Sequence, residues 1–341
     1  MISILMATYN GEKFLRQQID SILAQTEQNW ILYVRDDGST DRTPQIIHEY
    51  AMNYPGMIIP VHDNLGGLGC IRNFMAMLSY SRSNYYMFCD QDDIWLPDKV
   101  EKSLKAMKAA EAEYARKAAE DAGKSGSRME NDRRSTRCSL PVCVHTDLEV
   151  VDENGQQIHP SFVEKLGLDA KGATFASLIF SNVMTGCTMM INQAMKDLIG
   201  VVPESCMMHD QWIGLLAEGC GKRVYLPETT IRYRQHGDNV MGANGRTFVD
   251  KLGKILNIGG YLKGIERTRV LREKQYRQLS DLYELHRDKL TPDAAKKAAN
   301  LLNIKRLSGS ARVKLLEEGG YLPKGKYEAT TVKLYYRWWI K

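Results

Sequence analysis

Apolar runs and helical spacings alternate along the first 110 residues. Ile2 to Met6 is unbroken apolar sequence and predicts a buried strand, ended before Gly11. Phe14, Leu15, Ile19, Ile22 and Leu23 recur at helical steps, which predicts a helix over 12–24. Trp30 to Val34 predicts a second strand. Ile46, Ile47 and Tyr50 mark one face of a helix that Thr40 or Asp41 would cap. Met57 to Val61 predicts a third strand, Ile71 to Leu78 a helix, and Tyr85 to Cys89 a fourth strand. These alternations predict an α/β fold around a mostly parallel sheet.

Beyond that point the pattern loosens. Lys99 to Lys117 is helical in composition, and 118–139, rich in Gly, Ser, Asn and Arg, reads as a flexible insertion. Strands are expected at Val142 to His145, Val183 to Ile191 and Arg223 to Leu226, and helices at Phe175 to Phe180 and Asp210 to Ala217. Asp152-Glu153-Asn154-Gly155 is a turn signal. After Arg246 the chain becomes basic and amphipathic, so a domain over 1–246 and a mainly helical region over 247–341 are expected. Residues 251–341 hold 21 Lys+Arg against 9 Asp+Glu, whereas 1–250 holds 25 against 32. A basic tail of this kind suits an anionic surface.

With 43% hydrophobic and 26% charged residues, the chain has an ordinary globular balance. Its seven cysteines form no CxxC, which favours reduced thiols over a disulfide framework. No basic leader followed by an apolar core opens the chain, and no apolar run is long enough to span a bilayer. A cytoplasmic location is expected, peripheral to the inner face of the membrane if the tail binds lipid.

The chemistry gathers where ligands bind in open α/β sheets, beyond the carboxyl ends of the strands. Thr8, Tyr9 and Asn10 follow the first strand, Asp36 and Asp37 the second, and Asp90, Gln91, Asp92 and Asp93 the fourth. Such carboxylates suit hard divalent cations, Mn²⁺ or Mg²⁺, which bridge phosphates.

MATYNG, RDDGSTD and DQDDIWLPDK, followed by NVMTGCTMMIN, HDQWIGLLA and IRYRQHGDNVMG, resemble the inverting glycosyltransferases of family 2, with the GT-A fold. The resemblance covers about 1–245 and is nearest in flavour to bacterial rhamnosyltransferases of cell-surface polysaccharide assembly. It implies a GT-A domain with a mixed, mostly parallel sheet. It also implies a nucleoside-diphosphate sugar donor, with dTDP-rhamnose the leading choice, and a saccharide or lipid-linked saccharide acceptor. By the same resemblance, Thr8, Tyr9 and Asn10 line the nucleotide, and Asp37 accepts the pyrimidine N3–H. Asp36 supports the loop or the ribose, and Arg72 and Asn73 close over the nucleotide. Asp90-Gln91-Asp92 is the DXD motif, with Asp92 the direct metal ligand and Asp90 toward ribose or metal-bound water. Asp210 is the general base. His236 reaches metal or diphosphate, and Arg234 or Arg232 faces the phosphates. Trp212 could stack on the acceptor sugar, and Asp93 is a further acid on that side.

Structural readings stand beside these. Asp36-Asp37-Gly38-Ser39 is also a turn with a helix cap, Asp210 also an N-cap, and His236 also a loop or core histidine. His209 reads as structural, and Cys187 and Cys206 as packing residues. The processive signature is missing, because no Gln stands three residues before Arg337, so a non-processive enzyme is expected. A nucleotidyltransferase would need a Gly-rich basic phosphate loop that MATYNGEKF lacks. A non-catalytic nucleotide-sugar-binding module is disfavoured by the presence of both the DXD motif and Asp210. Tyr335, Tyr336, Trp338 and Trp339 among Lys333, Arg337 and Lys341 suit either a packed terminus or an interfacial anchor. No nucleic-acid reader motif is present, and oligomerisation is left open.

Overall fold

The computed structural model describes residues 1–125, 140–236 and 258–339. In chain order the first elements are β1 (Ile2–Thr8), α1 (Leu15–Leu23), β2 (Trp30–Asp36), α2 (Thr43–Asn53), β3 (Ile58–Pro60), α3 (Gly69–Tyr80), β4 (Tyr85–Cys89), β5 (Ile94–Trp95) and α4 (Lys99–Ser125). There follow β6 (Val142–Val151), β7 (Gln157–His159), α5 (Phe162–Leu166), α6 (Phe175–Leu178), β8 (Met189–Asn192), α7 (Gln193–Ile199), α8 (His209–Cys220) and β9 (Lys222–Arg234). The last are α9 (Ile258–His286), α10 (Pro292–Leu302), α11 (Gly309–Glu318) and α12 (Lys326–Leu334).

Contacts divide the chain into two compact units. One comprises Met1–Pro160, Met184–Gly200 and Gly221–Arg234; the other comprises Ser161–Val183, Val201–Cys220 and Gln235–Lys341. Composition places its break at 246, whereas compactness draws α5, α6 and α8 together with the C-terminal helices.

The first unit is built on one mixed sheet of order β3-β2-β1-β4-β8-β6-β9-β5, with β7 paired to β6. Its β3-β2-β1-β4 half is wholly parallel, with Ile4 level with Leu32 on one side and Met87 on the other. Ile4, Leu32 and Met87 have no accessible surface, which is why these strands read as continuous apolar runs rather than alternating ones. β8 enters antiparallel to β4 and β6, while β9 runs parallel to β6.

Three expectations are corrected here. The expected strand from Val183 begins only at Met189, because Gly186–Thr188 turns as a 3₁₀ helix first. The strand expected at Arg223 to Leu226 extends to Arg234, and this extension carries Arg232 and Arg234 alongside β6. The insertion begins as helix: α4 runs on to Ser125, supported by Arg116–Glu120 and Lys117–Glu113 pairs one turn apart, both at 2.7 Å. Residues 126–139 lie outside the described residues, as does 237–257, which includes the GDNVMG end of the last motif.

The second unit is helical. α8 is apolar around most of its circumference, and Trp212, Ile213, Leu215, Leu216 and Ala217 are all buried. Such a helix needs cover on every side. α6 and α10 both pack against it, and the Thr291 N–H reaches the Gly219 carbonyl at 2.8 Å. A Cβ at Gly219 would lie 2.8 Å from Leu290, so glycine permits that approach. At the C-terminus, Tyr335 and Tyr336 are buried, with Tyr336 edge-on to Phe180 at 5.5 Å. These tyrosines therefore belong to the core and not to an interfacial anchor. Trp338 is exposed, with the Arg337 guanidinium 5.1 Å from its ring centroid. Lys341 lies outside the described residues. Among the described residues no helix is long and apolar enough to cross a membrane.

Candidate active site

Parallel pairing sets the strand ends side by side. Thr8 is level with Asp36, and Met6 with Cys89, so the segments after β1, β2 and β4 leave the sheet from neighbouring positions on one edge. The polar residues there are bound to one another before any ligand is considered.

Asp36 is saturated. Its Oδ1 accepts from the Thr8 hydroxyl at 3.0 Å and the Ser39 hydroxyl at 2.5 Å; its Oδ2 accepts from the Gly38 and Ser39 N–H groups at 3.2 and 2.8 Å. A carboxylate offers about four acceptor sites, so of the two roles expected for Asp36 the loop has taken it. Thr8, almost fully buried, is a partner in the same turn. Asn10 completes it: its N–H donates to Ser39 Oγ and its side-chain oxygen accepts from Thr40 N–H, at 2.8 and 2.9 Å. Asn10 has φ 50°, a left-handed conformation that asparagine tolerates better than most residues.

Gln91 stitches the fourth strand end to the first. Its amide accepts from Tyr9 N–H at 2.8 Å and donates to Tyr9 O at 2.9 Å. A Cβ on Gly11 would stand 2.3 Å from Gln91 Oε1, so the stitch requires glycine there. The Tyr9 side chain itself is 58% exposed and offers an aromatic face at the sheet edge.

Asp37 is tied differently. Its Oδ1 accepts from Arg35 Nη1 at 2.8 Å and Leu68 N–H at 2.7 Å, and its Oδ2 accepts from Gly69 N–H at 2.7 Å. It thereby caps α3, whose own N-cap residue, Leu68, supplies no side-chain acceptor. α3 carries Arg72, which is exposed, and Asn73, which is buried with its Nδ2 3.4 Å from the Arg35 carbonyl.

Asp93 has no accessible surface, and neither has Trp212. Both expected acceptor contacts are corrected on this ground: Asp93 is enclosed within the first unit, and the Trp212 ring is packed inside the second, 6.1 Å from His286. Asp93 Oδ1 accepts from Arg234 N–H at 3.1 Å. Its Oδ2 makes no hydrogen bond of normal geometry, although the Cys187 thiol stands close enough to act on its proton equilibrium. Burial, then the charges of Asp92 and Asp90, push the Asp93 pKa well above the carboxylate range. The same enclosure pulls the buried Lys99 ammonium down to about 8 against the opposing pull of Cys187, Cys89 and Asp93. The Lys99 Nζ lies 4.7 Å from the Trp95 ring centroid.

Arg234 does not face outward to phosphate. Its Nε donates to Asp92 O at 2.9 Å, Nη1 to Glu153 O at 2.6 Å and Nη2 to Gln17 Oε1 at 2.6 Å, over the Phe14 ring. It is a clamp on the DXD loop. Arg232, in contrast, is half exposed and 3.6 Å from Glu149.

Metal-capable groups do converge. Donor atoms of Asp90, Asp93 and Cys187 lie within 4.8 Å of one another. Asp90 is half-buried and the other two are buried. The two carboxylates, one with a buried oxygen lacking a good hydrogen bond, fit a hard divalent cation, whereas the Cys187 thiol is a softer donor than Mn²⁺ or Mg²⁺ takes. Asp92 and His236, expected as ligands, stand outside this group; both are half-buried.

Asp210 opens α8 in the second unit. It is buried, and its Oδ1 accepts from Gln211 N–H at 2.7 Å. The helix dipole favours an anion in this first turn. Its neighbour His209 is fully enclosed, and burial lowers its pKa from 6.5 to about 4; His145, in the first unit, falls to about 3 through burial and the Arg223 charge. Unfolded histidines take up protons near pH 6.5, whereas these do not while folded. Folding stability is therefore full above pH 6.5 and is expected to fall as pH drops from there toward 4. A shift of this size at one residue is worth about 3 kcal/mol. Urea unfolding between pH 7 and 4 measures the slope, and His209→Gln should flatten it; an unchanged slope would refute the assignment to His209.

Sequence reasoning passed over Arg35, Asp63, Gln17 and Lys99, and took Cys187 for packing. Arg35 did carry a signal: it is the one charge in the run WILYVR and lies inside a buried strand, where a cation requires partners.

Comparison with known proteins bears on the family and the fold. Glycosyl transferase family 2 matches residues 3–141. The dTDP-rhamnosyl transferase RfbG of Shigella flexneri is 26% identical over 253 residues, covering 70% of this chain and 74% of that protein. An uncharacterised protein of Mycobacterium tuberculosis is 39% identical over 242 residues, 70% of this chain, and the match spans 60% of its length. Among solved structures, Staphylococcus aureus TarS 1–349 in complex with UDP-GlcNAc aligns with TM-score 0.51 at 15% identity, over 98% of this chain and 91% of that one. The chain carries a family 2 glycosyltransferase domain built on the GT-A fold.

Proposed function

We propose that this chain is a non-processive, inverting glycosyltransferase. It moves a hexose from a nucleoside-diphosphate sugar to a hydroxyl of a saccharide or lipid-linked saccharide in cell-surface polysaccharide synthesis. The proposed donor is dTDP-rhamnose, in line with the relation to a dTDP-rhamnosyl transferase, and UDP-sugars are the alternative. The observation that carries the reading is the shared edge of β1, β2 and β4. Exposed Tyr9, the Asp37 carboxylate and the DXD carboxylates leave the sheet there from adjacent parallel strands.

In this reading Tyr9 packs on the base and Asp37 accepts its N3–H. Arg72 approaches the diphosphate from α3, with Asn73 beneath it holding the end of β2. Asp90, with the buried Asp93 beside it and Asp92 in the same loop, would hold Mn²⁺ or Mg²⁺ through carboxylate oxygens; when bound, the cation stabilises the departing diphosphate as a Lewis acid. The Asp210 carboxylate takes the proton of the attacking acceptor hydroxyl, and that oxygen displaces the nucleotide from the opposite face of the anomeric carbon. One displacement inverts the centre and needs one base, unlike the paired carboxylates of glycoside hydrolases. Trp338 and Arg337 provide a peripheral contact for a membrane bearing a lipid-linked acceptor.

The test is the stereochemistry of slow donor hydrolysis. Incubating the protein with dTDP-β-L-rhamnose and following the anomeric proton by NMR should show the α anomer first; release of the β anomer would contradict a single displacement.

A further inference from the structure

The carboxylate of Asp37 is almost fully subscribed, and its surroundings say why. Arg35, 2% exposed, sits beneath it at the end of β2. The guanidinium forks onto Asp63, with Nε to Oδ2 at 2.8 Å and Nη2 to Oδ1 at 2.9 Å. Its Nη2 also donates to Gly66 O at 2.9 Å, and its Nη1 to Asp37 Oδ1 at 2.8 Å. The Asp63 carboxyl is held down at about 2, by Arg35 first and by the Leu65 N–H second. One buried cation thus holds Asp63 and Gly66 of the 63–69 loop and one oxygen of Asp37, whose carboxylate in turn takes the Leu68 and Gly69 N–H groups at the loop's far end.

Arg35 and Leu68 N–H fill Asp37 Oδ1, and Gly69 N–H takes one of the two acceptor sites on Oδ2. One acceptor site on Asp37 is left over, and its direction is set by the fork below it. We infer that Arg35 and Asp63 form a base-reading pillar: positioning residues that aim the last acceptor site of Asp37 so that the pocket selects a nucleotide base with a ring N–H donor. This rests on the reading of Asp37 as the base contact. A site that must satisfy a buried acceptor rejects a ligand lacking the donor far more strongly than it rejects a change of shape.

Calorimetry with the full chain tests this, using dTDP and 5-methyl-dCDP, which differ only at the N3–C4 edge of the base. The native chain should prefer dTDP by about tenfold or more. Asp63→Asn weakens the fork at a partly exposed position and should collapse the preference to within about threefold, chiefly by weakening dTDP, with 5-methyl-dCDP affinity changed less than about twofold. Arg35→Lys keeps the charge but loses the fork and should do the same. An undiminished preference in Asp63→Asn, or an equal loss for both nucleotides, overturns the pillar. Asp37→Asn separates the two claims. If it also leaves the preference intact, or if the native chain shows none, the reading of Asp37 fails; if it abolishes a preference that Asp63→Asn retains, the pillar alone fails.

Discussion

Asp210→Asn is expected to lower turnover by about 10³-fold while leaving donor affinity within about twofold. The change is nearly isosteric, and the hydrogen bond from Gln211 N–H needs only an oxygen, which asparagine supplies. What asparagine lacks is the basicity to take the acceptor proton. A residue that merely capped α8 would behave otherwise: asparagine is as good an N-cap as aspartate, so turnover would survive. The split between kcat and donor binding therefore separates the catalytic from the structural reading, and both are measured on one preparation. Unchanged turnover would remove Asp210 from the mechanism.

Arg234→Met is expected to cost about 3 kcal/mol or more of folding stability. Arg234 is 2% exposed, and its side chain serves Asp92 O, Glu153 O and Gln17 Oε1. Methionine fills the space over Phe14 but donates nothing, so three acceptors lose the partner that the buried guanidinium supplied. It also withdraws the cation that stands beside Asp92 and Asp93. Guanidinium unfolding reads the loss directly. Arg234→Lys, which keeps the charge but cannot span three acceptors, should fall between. A loss under about 1 kcal/mol in Arg234→Met would show that the DXD loop holds its shape without this clamp.

Much of the first unit was legible because its signals are local. β4 begins and ends where the run Tyr85 to Cys89 does, and strand, helix and polar strand end repeat in order. The residues at those ends were legible, and the family resemblance set Asp36 on the loop or ribose and Asp37 on the base, but the residues by themselves do not divide that labour. Asp36 and Asp37 are adjacent and chemically identical. What separates them is that Thr8, Gly38 and Ser39 saturate one, while Arg35, Leu68 and Gly69 leave the other an acceptor site. These partners come from three elements and leave no periodic trace. Arg234 was misjudged for a related reason. An arginine near a phosphate-binding motif invites a phosphate, and only the length of β9 reveals that it reaches back to Gln17 and Glu153. Trp212 follows the proposed base in sequence, yet α8 buries nearly its whole circumference, so sequence proximity to Asp210 carried no exposure.

The most direct test of the central claim is the melting temperature of the full chain with dTDP and with UDP, each with and without Mn²⁺. A ligand that binds the folded state alone raises the transition by mass action, and about 100-fold excess over Kd is worth about 2.7 kcal/mol. A pyrimidine nucleoside diphosphate should raise it, more so when Mn²⁺ is present, and less in Asp90→Ala. No rise with either nucleotide, with or without the metal, would contradict a nucleotide-sugar site at the ends of β1, β2 and β4.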